Sequence, residues 1–223
     1  MRIGFVRLLP IWGLLALGAC HSTRNAPVVA KAPPGQAQLV FLRPTKTLQQ
    51  VSLYLLDTGQ QQFLGVVEPG TKLVSQVPPG DHLFMVVAEQ EAEFMQTHLD
   101  AGKTYYALVR GRYDKNADWH FFLLPIHRDS ADSYNIHDPT FRKWERATRL
   151  RDKSPDDDLW YAENRSSIDS RRDRYLDYWN QRSSESKARL TLYAEDGVVA
   201  LEPMTYRSRR DKAGTVEPED DEP

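Results

Sequence analysis

The chain carries one cysteine in 223 residues, so an internal disulfide is impossible. No C-x-x-C, H-x-H or H-E-x-x-H spacing occurs, which removes the usual sequence signs of a metal site. There is no G-x-S-x-G elbow, no phosphate loop and no dinucleotide fingerprint. A glycosidase needs only two carboxylates, and 31 acidic residues satisfy that on paper without pointing to any pair. Excess charge is scarce too: the formal net charge of −2 gives no basic surplus for a nucleic-acid partner. Long apolar runs are missing as well. The stretch from Leu8 to Ala19 falls short of the ~20 apolar residues that cross a bilayer as a helix. What the chain has is 40% hydrophobic residues and ten tyrosines, enough for a folded domain with a sizeable core.

The lone cysteine closes that apolar stretch. Arg2 and Arg7 give a positive start, and small residues lead into Leu17-Gly18-Ala19-Cys20. A positive start, a short apolar middle and small residues before a cut describe an export signal. The final tetrapeptide resembles the bacterial lipobox. That resemblance implies cleavage between Ala19 and Cys20, a diacylglycerol on the Cys20 thiol and acylation of the new amino group. Two or more acyl chains anchor stably, so the chain is expected to sit on a membrane without spanning it. Residues 1–19 are then a lipoprotein signal peptide. His21 and Ser22 follow the cysteine where an aspartate commonly retains Gram-negative lipoproteins in the inner membrane. Its absence implies the outer membrane, on the side facing the periplasm. A lipidated Cys20 leaves no thiol and excludes redox chemistry. The alternative is a plain signal peptide with Cys20 in the leader by chance.

Residues 20–36 are rich in Ala, Pro and small polar residues and read as a flexible tether. A β-rich domain is expected over 37–126. Strands are predicted over Ala37–Arg43, Val51–Leu56, Gln61–Val67, Lys72–Val77, His82–Ala88, Phe94–Leu99, Thr104–Arg110 and Trp119–Leu124. Asp57-Thr58-Gly59, Glu68-Pro69-Gly70-Thr71, Pro78-Pro79-Gly80 and Ala101-Gly102-Lys103 punctuate them as turns, and Pro125 is expected to end the last strand. Short strands with regular turns predict a mainly β fold, an antiparallel β-sandwich.

Three segments carry a resemblance: "AQLVFLRP", "FLGVVEPGTKLVSQVPPGDHLFMVV" and "LDAGKTYYALV". Over Ala37 to Arg112 they resemble a family of bacterial lipoproteins whose domain is similar to PEGA-type modules. The resemblance implies a carbohydrate-binding-like, transthyretin-like sandwich. It departs from the PEGA pattern at Pro78-Pro79-Gly80-Asp81, brings no catalytic residues, and does not imply sugar binding.

A different texture begins at Asp138-Pro139, and a helical extension is expected over 138–190. Asp138 suits an N-cap and Pro139 the first turn. Phe141, Trp144 and Thr148 share a face, while Arg142, Lys143, Arg146, Arg149 and Arg151 make the rest basic. Ser154-Pro155-Asp156-Asp157 repeats the start signal, and one long helix is predicted from Pro155 to Lys187. Its stripe of Ile168, Arg172, Tyr175 and Trp179 packs on the sandwich or meets a partner. The basic first helix either solvates its charges or lies against anionic head groups. Residues 190–201 form a hairpin on Asp196-Gly197, or a helix end at Gly197 followed by an extended segment. Residues 205–223 read as a disordered charged tail.

Ligand-type residues concentrate in one place: His120, His127 and His137, with Asp129, Asp132 and Asp138. Their spacing matches no metal motif, and Asp138 already serves as a cap. The expectation is a non-enzymatic envelope protein without cofactor that docks an envelope or cell-wall partner. Tyr105, Tyr106, Trp119, Trp144 and Trp179 are candidate contacts or core residues. The alternatives are an envelope hydrolase or metal-dependent enzyme around His120, His127 and His137, and a sugar- or peptidoglycan-binding module.

Overall fold

The computed structural model describes residues 29–47, 49–57, 59–115, 119–131, 134–199 and 201. Cys20, the leader, most of the tether, Asp132 and the 205–223 tail lie outside the described residues.

Eight strands come first: β1 Ala37–Arg43, β2 Ser52–Asp57, β3 Gln60–Val66, β4 Thr71–Val77, β5 Gly80–Val87, β6 Ala92–Leu99, β7 Thr104–Tyr113 and β8 Trp119–Ile126. Then follow α1 Pro139–Ala147, β9 Arg149–Leu150, α2 Pro155–Gln181, α3 Ser184–Ala188, β10 Thr191–Leu192 and a 3-10 turn over Ala194–Asp196. The first sheet runs β8-β7-β1-β4-β9 and the second β10-β6-β5-β2-β3. The fold is mainly β, a two-sheet sandwich with a C-terminal helical part.

The sandwich interior comes from one parity of each strand. Leu39 and Phe41 of the first sheet meet Leu53, Phe84, Val86 and Met95 of the second, with the Phe41 and Phe84 rings 5.3 Å apart. The opposite parities are covered too. Tyr54, Phe63, Met85 and Phe94 pack under Ile168 and Trp179 of α2, and Val40, Leu42, Tyr106 and Leu108 under Phe141 of α1. Two-sided burial explains why β1 is buried along its whole length and why Phe84-Met85-Val86-Val87 is apolar without alternation.

Several expectations change in detail. Adjacent strands are mostly antiparallel, but β1 pairs β7, β4 pairs β9 and β10 pairs β6 in parallel, so both sheets are mixed. Pro125 does not end the last strand; it lies inside β8 opposite Ala107. An edge strand tolerates proline, because half of its backbone groups make no ladder bond. The helix predicted to reach Lys187 stops at Gln181. Ser183 caps a new helix by accepting from the Ser186 N–H, and Arg182 turns to Glu93 at 3.1 Å.

Among the described residues no hairpin forms over 190–201: β10 joins β6, and Val198 bridges Thr104 of β7. Gly197 does not reverse the chain either, since its φ is −74°. It is glycine because a Cβ there would stand 2.5 Å from the Tyr105 ring and 2.8 Å from Lys103. Gly65 serves a different need. At φ +142° it sits at the register shift between β2 and β3, with Leu73 at 2.7 Å from where its Cβ would be.

Candidate functional site: a basic groove beside the first helix

The groove is built on the outer face of the first sheet. Along β7, Tyr106 and Leu108 lie in the apolar cluster under α1, and the same parity then carries the exposed Arg110 and Arg112. Asp138 starts α1 by accepting from the Thr140 N–H at 2.6 Å, and Pro139 supplies the first turn. Helical spacing then sends Phe141 onto Tyr106, edge to ring at 5.0 Å. Trp144, one turn on, is half-buried and stacks on Tyr134 at 6.2 Å. Lys143 and Arg146 stay exposed. Glu145 is the one carboxylate of α1, and it turns down to the buried Lys72 at 2.9 Å.

The opposite wall is the crossover after β1, and a buried charge shapes it. Arg43 is fully buried and has no carboxylate partner among the described residues. Its guanidinium donates to the carbonyls of Val67, Thr47 and Gln49 and lies 5.1 Å over the Phe121 ring. Burial pulls its pKa down to about 10, which still leaves it charged at neutral pH. The bonds to the Thr47 and Gln49 carbonyls hold the segment that carries Lys46.

Between these walls lies a groove of about 600 Å³, lined by Lys46, Leu108, Arg110, Tyr134, Lys143 and Trp144 among others. Arg110 donates to the Tyr134 hydroxyl at 2.8 Å. Arg112 lies over the Phe122 ring at 5.0 Å. Lys46, Arg110, Arg112, Lys143 and Arg146 are all exposed, and none forms an ion pair with a described residue. A groove with cationic rims, an apolar floor and two amphipathic rings can receive an anionic group attached to an apolar or ring-shaped body.

The three histidines singled out in the sequence do not converge. His120 faces Glu91 at 2.9 Å and Asp114 at 3.6 Å. His127 faces Asp196 at 3.0 Å, and the exposed His137 lies 3.9 Å from Asp129. Among the described residues, no group of three or more His, Cys, Asp or Glu side chains is placed to hold a metal ion. The first two pairs tie separate segments together. The Glu91 carboxylate also accepts from the Phe121 N–H, tying the β5–β6 turn to β8. Its hydrogen bond, with help from Asp114, holds the His120 pKa above the usual imidazole value. Asp196 accepts from the Arg128 and Tyr193 N–H groups as well as from His127, fastening the C-terminal segment. Burial pushes Asp196 up, but these hydrogen bonds outweigh it and hold the carboxyl below its usual range.

Two histidines that the sequence did not single out have acid partners of their own. His82 faces Asp57 at 3.1 Å and the Pro78 carbonyl at 2.8 Å, so both ring nitrogens lie against oxygen atoms of the protein. His98 pairs with Asp81 across the β5–β6 ladder and stacks on Tyr193. Only the strand register brings Asp81 and His98 together, so no local spacing could have found them.

Of the five candidate contact aromatics, Tyr105, Tyr106 and Trp179 are core residues. Trp119 packs at the edge of the sandwich interior against Phe121. Trp144 alone of the five lines the basic groove.

No protein-family model matches the chain, and no curated protein matches it. Among solved structures, a protein from Eubacterium rectale determined by NMR is similar over 44% of this chain and 94% of its own, at 12% identity and a TM-score of 0.31.

Proposed function

We propose that this chain is a lipid-anchored protein of the cell envelope, of the binding and assembly type rather than an enzyme, attached through Cys20 to the outer membrane and facing the periplasm. The observation that supports it best joins the sequence to the fold. Val29 packs into the apolar cluster beneath α1, and Cys20 lies nine residues before it. The end of the chain that would carry a lipid therefore enters on the face that holds the basic groove. The described histidines are each engaged with a carboxylate, while Lys46, Arg110 and Lys143 meet at that groove without an ion pair to a described residue, which suits recognition better than proton transfer. The resemblance of Ala37 to Arg112 to PEGA-type modules fits a tethered module but adds no ligand.

The test is mass spectrometry of the exported protein with crosslinking in intact cells. The expected result is a chain beginning at Cys20 with a diacylglyceryl mass, no processing in Cys20→Ser, and a crosslinked envelope partner. An unmodified Cys20 in exported protein overturns the anchor, and recovery of monomer alone overturns the assembly role.

A further inference from the structure

We infer that the α1 face lies against the membrane surface and that the groove between Lys46, Arg110, Lys143, Tyr134 and Trp144 receives the phosphate of an anionic lipid headgroup. For its delivery to a membrane the inference rests on the anchored reading; its electrostatics do not.

The charge argument comes first. Five exposed cations gather on this side with no described carboxylate paired to them. The nearby described acids are engaged elsewhere. Glu145 bonds the buried Lys72, Asp138 caps α1, Asp114 faces His120, and Asp129 lies between Arg128 and His137. A like-charged cluster repels itself, so its unpaired state is best relieved by an anionic surface. The second argument is the ring pair. Trp144 and Tyr134 are half-buried at the groove wall, and such rings favour the boundary between water and hydrocarbon. Arg110, bonded to Tyr134, presents the rest of its guanidinium fork to a phosphate.

The third argument is reach. The Ala30 carbonyl accepts from the buried Gln38 side chain at 2.7 Å, which fixes where the N-terminal segment meets the sandwich. From Val29 back to Cys20 the chain can extend at most about 30 Å. Lipid on Cys20 therefore keeps this face within a small domain's diameter of the bilayer. An acidic protein surface would satisfy the charge argument but not the other two.

The experiment uses the full chain carrying Cys20→Ser, so that acylation plays no part, and compares two kinds of vesicle. One is phosphatidylcholine alone; the other is phosphatidylcholine with phosphatidylglycerol. The leader, with Arg2 and Arg7, also favours the anionic vesicle, so the change in the ratio when groove cations are reversed reads the groove. The expected ratio is well above one and falls steeply with salt. Each cation near a charged surface contributes on the order of fivefold. Lys46→Glu with Lys143→Glu, both exposed and leaving the urea midpoint unchanged, should therefore lower the ratio by at least roughly 25-fold. Equal binding to both vesicles overturns the inference, as does a ratio unmoved by the double reversal. So does loss of an acidic protein crosslink, or of binding to isolated peptidoglycan, in the double reversal while the vesicle ratio stands. The test is silent on lipidation, so an unmodified Cys20 would sink the anchored reading separately.

Discussion

The two outer faces of the sandwich are each covered by a helix, and they dispose of charge in opposite ways. α2 carries seven carboxylates and four guanidinium groups over its 27 residues. Many are engaged: Arg172 with Asp169 and Asp173, Arg165 with Asp169, and Asp157 with Arg151. Beneath it Tyr54, Phe63, Phe94, Ile168 and Trp179 form a closed apolar layer, with the Phe63 and Tyr161 rings stacked at 4.7 Å. α1 is nine residues long, has three cations, and gives its one carboxylate to the sheet. Its neighbours Lys46, Arg110 and Arg112 are also cations, and the groove beside it stays open. The α2 face mixes both signs of charge and pairs several of them internally. The α1 face is dominated by cations, and Lys46, Arg110, Lys143 and Arg146 form no ion pair with a described residue.

That contrast predicts a gradient of effects. The largest belongs to the α2 face. Trp179, 3% exposed and 5.9 Å from Phe94, should cost about 3–5 kcal/mol on truncation to Ala. Urea denaturation would check it, and a loss under about 1 kcal/mol would mean that α2 is loosely docked.

Next comes Arg43, whose removal strikes the groove wall. Arg43→Leu leaves buried carbonyls without donors, at roughly 1–3 kcal/mol for each group that water cannot reach. It should also raise hydrogen exchange in the crossover around Lys46 while leaving α2 protected. Uniform loosening would instead make Arg43 a general core residue with no special tie to the groove.

A moderate effect is expected at the start of α2. Ser154 accepts from the Asp157 N–H, Asp157 accepts back from the Ser154 N–H, and Arg151 grips the same carboxylate at 2.6 and 2.7 Å. Ser154→Ala should cost about 1 kcal/mol. Burial pushes Asp157 up, but the hydrogen bonds from Arg151 and Ser154 outweigh it, so its pKa is lowered from 3.8. A carboxyl lowered on folding stabilises above its unfolded pKa, and that stability drains as pH falls through the lower folded value. The same sign applies to Asp196. Stability should therefore fall below about pH 4, and Asp157→Asn should flatten that acid limb of the melting curve. His120 runs the other way. Its pKa is raised by Glu91, so its contribution is complete below 6.5 and is lost as pH climbs through the higher folded value. Glu91→Gln should remove that alkaline decline, read by the same melts.

The smallest stability effect is expected on the α1 face. Lys46→Ala, Lys143→Ala and Arg146→Ala should each stay within about 0.5 kcal/mol of the parent in urea denaturation, because they are exposed and form no ion pair with a described residue. A clear destabilisation from any of them would mean that the charge is used internally, and the contrast between the faces would collapse.

Much of the architecture could be read ahead of the structure, and the reasons are local. β1 begins and ends where its apolar run and Pro44 place it. Asp138-Pro139 and Ser154-Pro155 start helices because an acceptor side chain and a donorless nitrogen suit the first turn. Ile168 and Trp179 lie on one stripe of α2 and both are buried. What could not be read depends on distant partners. Pro125 signals an end only if β8 is central, and it is an edge. His120, His127 and His137 cluster along the chain, yet each faces a carboxylate from another segment: Glu91, Asp196 and, across a turn, Asp129. The groove drew its residues from β1's crossover, β7, the segment before α1, and α1 itself, four places with no shared motif.

Periodicity, proline, glycine and capping residues act over a few positions, so the linear order of amino acids was sufficient to set strands, turns, helix starts and the mainly β class. Which charges are neutralised and which are left over was settled only on folding. An ion pair needs two side chains within a few ångströms, and several α2 charges found partners, while Lys46, Arg110 and Lys143, scattered over nearly a hundred positions, were brought together with no ion-pair partner among the described residues.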